Sequence, residues 1–176
     1  SLGLSFPVVV KPCSGGSSIG VYIVNTEEEY RQALKNSFRY ENEVVVETYI
    51  KGREFACGVI DGKALPPIEI IPKNGWFDYA NKYQANATEE VCPADISEEI
   101  AERMKALTVR AFQALKLNVY SRADFILDAD GNLYCLEMNT LPGMTSASLL
   151  PKEALADGIE YGDLCELIIQ KSMEAR

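Results

Sequence analysis

Arg122, Asp124, Glu137 and Asn139 lie in the stretch RADFILDADGNLYCLEMN, residues 122–139. Two hydrophobic runs, Ala123 to Leu127 and Leu133 to Met138, flank Asp130-Gly131, a dipeptide that favours a tight hairpin because glycine accepts positive φ. With Asp130 and Gly131 as the two central residues, Asp124 faces Glu137, Arg122 faces Asn139 and Ile126 faces Cys135. The strand period of two then puts all six on one face and leaves Ala123, Phe125, Leu127, Tyr134, Leu136 and Met138 for the other. A longer loop would shift this register. Opposed like charges cost a sheet up to roughly 1 kcal/mol, a cost that a bound cation removes. Two carboxylates and an amide oxygen suit a hard ion such as Mg²⁺ better than zinc or copper. The competing reading is an exposed polar face; the Arg, the Asn and the Pro-Gly loop that follows weigh against it.

The elements that must hold these residues read as α+β with antiparallel sheets and packed helices. Strands are expected at 6–11, 21–24, 43–50, 54–60 and 64–71, and a hairpin at 121–139. Thr26-x-x-Glu29 opens a helix to about Phe38, Ser97 caps a long one over 97–115, and shorter helices fall near 152–156 and 162–173. Residues 73–95 lack a period and read as a long loop, and loops of that length usually carry function or disorder. The length suits one domain or two small lobes.

Composition narrows the chemistry. The chain has 176 residues, a net charge of −9 and no histidine. The acidic balance argues against a nucleic-acid partner, and the missing histidine excludes His-based triads, His metal sites and His switches. Cys13, Cys57, Cys92, Cys135 and Cys165 form no C-x-x-C pair, which points to reduced thiols and a cytoplasmic setting. No apolar run approaches the roughly 18 residues of a membrane span. SLGLSFPVVVK begins without Met and enters a strand almost at once, as a piece of a longer protein would.

Three further segments have the makings of a nucleotide site. Ser14 to Gly20 (SGGSSIG) is rich in backbone and hydroxyl donors. It leads into a strand, so it is neither a Walker loop nor a dinucleotide fingerprint; a flap over phosphates and a plain flexible turn both fit. Lys11 precedes it as a phosphate cation or a solvated charge. Glu47-Thr48-Tyr49-Ile50, followed by Glu54, is either a plain strand crossover or a segment offering backbone groups to a base and an acid to a ribose.

Together the motifs K-P-x-x-x-G-S-S-I-G, E-T-Y-I-x-G-x-E-F, K-Y…C-P-A, R-x-D-F and E-M-N-T-L-P-G-M-T-S, in this order across residues 6–170, resemble the ATP-grasp portion of D-alanine–D-alanine ligases. The resemblance implies an ATP-grasp fold and ATP-dependent joining of two D-alanines through an acylphosphate for peptidoglycan synthesis. Residues 1–60 would be part of the central lobe, with the flap and adenine hinge, and 61–176 the C-terminal lobe, with lid loop and metal site. Lys11 would contact the α/β-phosphates, with Ser17 and Ser18 in the flap over them. Glu47, Thr48, Tyr49 and Ile50 would line the adenine and Glu54 would hold the ribose. Asp124, Glu137 and Asn139 would bind two Mg²⁺ ions, or Mn²⁺ in their place. Arg122 and the Gly143 N–H would stabilise the oxyanion and Ser148 would take the second substrate's carboxylate. Lys82 and Tyr83 would sit in the lid, Lys82 at the transferred phosphate. The implied partners are D-alanine, the parent's N-terminal lobe and, as in the family, a second copy in a homodimer. A ligase making D-alanyl-D-lactate or D-alanyl-D-serine is the nearest rival, which Lys82-Tyr83 disfavours; a non-catalytic nucleotide-binding module is the rival from another class.

Overall fold

The computed structural model describes residues 3, 5–14, 16, 18–72 and 88–175. It divides into two compact units, residues 1–50 with 72–88 and residues 51–71 with 89–176. The break therefore falls at 50/51, ten residues before the one expected at 60/61.

In the first unit β1 (Val8–Pro12) is the central strand, with β2 (Tyr22–Val24) and β3 (Val44–Thr48) antiparallel on either side. Between β2 and β3 runs α1 (Glu27–Ser37). Thr26 Oγ1 accepts from the Glu29 N–H at 3.2 Å, and Glu29 reaches back to the Asn25 N–H at 2.7 Å, one residue beyond the usual capping-box partner. Val8, Val10, Val24 and Ala33 form the core beneath this helix.

The second unit is built on β4 (Gly52–Ile60), which explains the early break. This strand lies between β6 (Ile68–Pro72) and β8 (Tyr120–Asp128), and β5 (Lys63–Ala64) pairs with its end. The sheet order is β7-β6-β4-β8-β9, with β7 at Thr88–Val91 and β9 at Leu133–Asn139. β7 lies inside the stretch expected to be loop. TEEV carries two acids in four residues and forms an edge strand, where charge is tolerated but no alternation marks it.

Alternation along β8 sorts its two faces. Ser121, Ala123, Phe125 and Leu127 are buried, and α2 (Glu98–Ala114) supplies Met104 to the same core as Phe55, Cys57, Ala123, Phe125 and Leu127. Ser97 caps α2, accepting from the Ile100 N–H at 3.4 Å. On the opposite face α3 (Leu149–Ala156) and α4 (Tyr161–Glu174) close a second core of Ile60, Leu65, Leu150, Ala154 and Leu164.

The hairpin departs from the expected geometry twice. Asp128 pairs with Asn132, its N–H donating to the Asn132 carbonyl at 3.0 Å, so the loop holds three residues with Gly131 at φ 81°. A bulge between Asp124 and Phe125 on the β8 side then leaves Leu136 of β9 without an opposite residue. Beyond the bulge Phe125 faces Cys135 and Ile126 faces Tyr134, not Cys135. Tyr134 and Leu136, expected on the core face, are 36% and 45% exposed, whereas Leu133 and Met138 both pack on the core. The two departures cancel near the far end of the hairpin, where Arg122↔Asn139 and Asp124↔Glu137 stand as expected.

Gly58 is where α3 meets the sheet. A Cβ there would lie 2.4 Å from Leu150 Cδ1 and 2.9 Å from Leu65 Cδ1. Gly58→Ala is expected to lower unfolding free energy by about 1–3 kcal/mol through overpacking. Gly162→Ala, with open space around its Cβ in α4, serves as control. Urea unfolding decides; equal midpoints for the two variants would mean that α3 does not rest closely on β4.

Candidate active site

The register of β4 on β8 sets Gly58 opposite Arg122 and Ala56 opposite Asp124. Both polar side chains therefore project from the face that also carries α3. Arg122 grips Asp124 with two bonds, Nε to Oδ1 at 2.7 Å and Nη2 to Oδ2 at 2.9 Å, with the side chains 17% and 22% exposed. Asn139 Nδ2 donates to Asp124 Oδ2 at 3.0 Å and to Glu137 Oε1 at 3.3 Å. The four residues form one connected network, with an amide as the bridge between the two acids.

Burial by itself would lower the Arg122 pKa; the bond and charge of Asp124, with the charges of Glu153 and Glu137, overcome this and raise it. Arg122 is thus a fixed cation. Among the described residues no three Asp, Glu or Cys side chains converge in a way that could hold a metal. The set on offer is two carboxylates and one amide. It fits Mg²⁺, which binds through one or two carboxylates and completes its shell with water and phosphate oxygens. Asn139 now presents its amide nitrogen to the acids, and ligation by its oxygen requires the amide to turn over.

The loop after β9 is held from both ends. Tyr161 OH donates to the Met144 carbonyl at 2.7 Å, and the Thr145 N–H donates to Ser148 Oγ at 3.1 Å. Gly143 and Ser148 come together, since a Cβ on Gly143 would lie 2.9 Å from Ser148 Oγ. Ser148 occupies the N-cap of α3, yet its side chain makes no capping bond.

In the first unit Lys11 Nζ pairs with Glu47 Oε1 at 2.7 Å, so the expected phosphate cation and a hinge acid neutralise each other. Glu47 and Thr48 end β3, while Tyr49 and Ile50 lie between β3 and β4, with the Tyr49 N–H spent on the Pro7 carbonyl at 3.2 Å. Ser18 takes φ 58° in the turn of the glycine-rich segment. Glu54 stands on β4 between Ile70 and Ile126. Ser17, Lys82 and Tyr83 lie outside the described residues.

A family model described as the D-ala D-ala ligase C-terminus matches residues 2–170. The chain belongs to that family. It is 47% identical over 169 residues to a D-alanine–D-alanine ligase of Pediococcus pentosaceus, covering 96% of this chain and 48% of that protein. With the Bacillus anthracis enzyme it shares 47% identity over 174 residues, 98% of this chain and 56% of the relative. It spans about half the length of these relatives. The crystal structure of the Bacillus anthracis ligase superposes with a TM-score of 0.85 at 46% identity, over 97% of this chain and 55% of that one. A D-Ala:D-Ser ligase, VanG from Enterococcus faecalis, gives 0.86 at 30% identity, over 96% of this chain and 50% of that one. The fold is ATP-grasp, α+β with antiparallel sheets, as the motifs implied.

One residue of this ligase-family chain escaped the sequence reading. Glu153 of α3 is completely buried; its Oε1 accepts from the Gly58 N–H at 2.8 Å and its Oε2 has no partner among the described residues. Burial pushes its carboxyl up to about 8, against the opposing pull of the Gly58 N–H and the Arg122 charge. The only sequence signal is one acid amid the apolar LLPKEALA.

Two outcomes follow for this family member. Between about pH 4.5 and 8 the unfolded chain has released the Glu153 proton and the folded chain still holds it, so stability falls as pH rises through this window. The wild-type value minus that of Glu153→Gln should drop by up to about 5 kcal/mol across it in chemical unfolding; parallel curves would contradict a buried, protonated Glu153. For the network, a double-mutant cycle of Arg122→Ala and Asp124→Asn should give a coupling energy of about 1–3 kcal/mol. Additive losses would mean that the pair is only a surface contact.

Proposed function

We propose that this chain is the nucleotide- and metal-binding half of an ATP-dependent D-alanine–D-alanine ligase working in the cytoplasm. The observation that carries the reading is the Arg122–Asp124–Asn139–Glu137 network within a chain that matches the ligase family model over residues 2–170. The Bacillus anthracis relative whose structure was determined in complex with ATP, with a TM-score of 0.83 and 42% identity, supports ATP as the ligand.

In this reading the γ-phosphoryl group passes to the carboxylate of one D-alanine. The amine of a second D-alanine then attacks the acylphosphate carbonyl, and phosphate leaves as the peptide bond forms. Asp124, Glu137 and Asn139 would hold one or two Mg²⁺, which when bound supply charge neutralisation for phosphate oxygens. Lys11 and Ser18, with Ser17, take phosphates; residues 47–50 and Glu54 take the adenosine; Lys82, with Tyr83, serves the transferred phosphate. Lys11 must exchange Glu47 for phosphate to do so.

Arg122 and the Gly143 N–H stabilise the oxyanion of the tetrahedral intermediate. A preorganised donor of this kind is worth about 3–4 kcal/mol of transition-state stability. Ser148, at the start of α3, suits the carboxylate of the second D-alanine, because the helix dipole favours an anion there. No step calls on histidine, in keeping with its absence. The residues of the relatives beyond the matched half are the proposed partner lobe, and a homodimer is the proposed assembly. D-serine as second substrate, suggested by the VanG likeness, is the alternative.

Calorimetric titration with Mg²⁺ and a non-hydrolysable ATP analogue tests the reading. Wild-type chain should bind the analogue only with Mg²⁺, and Glu137→Gln should lose at least tenfold in affinity, about 1.4 kcal/mol. Binding that ignores Mg²⁺, or equal binding by the variant, would remove the opposed acids from the site.

A further inference from the structure

The carboxyl of Glu153 enters the second unit at the point where the ladder beside β4 is interrupted. β6 pairs with β4 as far as Ala56↔Ile68, and β5 pairs from Val59↔Ala64. Gly58 falls between these two stretches: its carbonyl accepts from the Leu65 N–H at 2.8 Å and its N–H has no strand partner there. Glu153 Oε1 takes that N–H at 2.8 Å. A side chain of α3 thus replaces a missing sheet bond, and Gly58, lacking a Cβ, lets it approach: a Cβ would lie 3.2 Å from Glu153 Oε2.

The same strand position faces Arg122 through the β4–β8 register. We propose that Glu153 is a positioning residue, locking the helix that begins at Ser148 onto the strand residue opposite Arg122, so that the Gly143–Ser148 loop and the Arg122–Asp124 pair are held in one frame. The lock is geometric; its relevance to catalysis rests on the ligase reading above.

Electrostatics gives the lock a second property. Arg122 and Asp124 of β8 both act on the Glu153 carboxyl, the first favouring its charge and the second opposing it. Cys57 of β4 and Cys92 also feel it, but burial pushes both thiols up to about 12, so they stay uncharged through neutral pH. Lys152, its neighbour on α3, is engaged by Glu90. With its proton on, Glu153 leaves Arg122 committed to Asp124. Once charged, it becomes a second buried anion whose field acts on the same guanidinium. Position and charge state are therefore coupled.

Heteronuclear NMR of the whole chain, with Glu153→Gln and Glu153→Ala, tests this. Glutamine keeps the acceptor oxygen for the Gly58 N–H, and alanine removes it. In the alanine variant Gly58 amide exchange should rise about tenfold, the loss of one buried hydrogen bond. The amides of Gly143 to Ser148 should shift in that variant and return to wild-type positions in the glutamine one. In wild type the Arg122 Nε–H resonance should move with the Glu153 carboxyl as it titrates near pH 8; in Glu153→Gln it should show no such step. Unchanged Gly143–Ser148 amides in a folded alanine variant would overturn the proposal. So would an Arg122 resonance blind to the Glu153 titration, a result that needs only wild type and the glutamine variant should alanine not fold. None of these readouts needs nucleotide or metal, so failure of the ligase reading shows in the Glu137→Gln calorimetry and not here.

Discussion

The antiparallel ladder between β4 and β8, from Gly52↔Asp128 to Ile60↔Tyr120, is the constraint on which the larger unit depends. A strand's side chains alternate, so one register decides two things together. It puts Cys57 and Phe55 beside Ala123 and Phe125 against α2, and it puts Gly58 and Ala56 beside Arg122 and Asp124 on the other face. A slip of β8 by one residue would send Arg122 and Asp124 into the α2 core and Phe125 out. The burial of an ion pair among Met104 and Phe55 would cost far more than the pair returns, so the core enforces the site's register.

The hairpin shows how such a constraint survives local irregularity. A three-residue loop with Gly131 at positive φ shifts the pairing by one, and the bulge at Leu136 shifts it back. Between these points side chains change face, which is why Tyr134 is exposed. Beyond the bulge Met138 returns to the core, and Glu137 and Asn139 return to the face of Asp124 and Arg122. The bulge thus aims the polar pair. Bulges commonly re-aim side chains next to functional sites.

The polar groups of the network satisfy one another. Arg122 neutralises Asp124 and the Asn139 amide spans both acids. In the first unit Lys11 and Glu47 do the same at smaller scale. Glu153 extends the logic inward, since a buried carboxyl beside this network stays protonated instead of adding a further charge.

Much of this was legible in the sequence because it rests on local rules. Ser97 and Thr26 mark helix starts through their own side chains, and β8 declares its two faces by alternation; Asp124 and Glu137 stand opposite as the D-G signal suggested, but through a three-residue loop and a bulge whose shifts cancel. The ordered motifs implied ATP-grasp by their resemblance to D-alanine–D-alanine ligases, and the fold agrees. The tertiary structure alone decided the break at residue 50, because it depends on which strand β4 pairs with. It alone revealed the edge strand β7, whose acids carry no strand signature, and the Leu136 bulge, whose extra residue is defined only against a partner. Glu153 is the clearest case. One acid in a short apolar helix reads as solvated, and only the packing of α3 on Gly58 buries it, because desolvation and the Arg122 field come from residues distant in sequence.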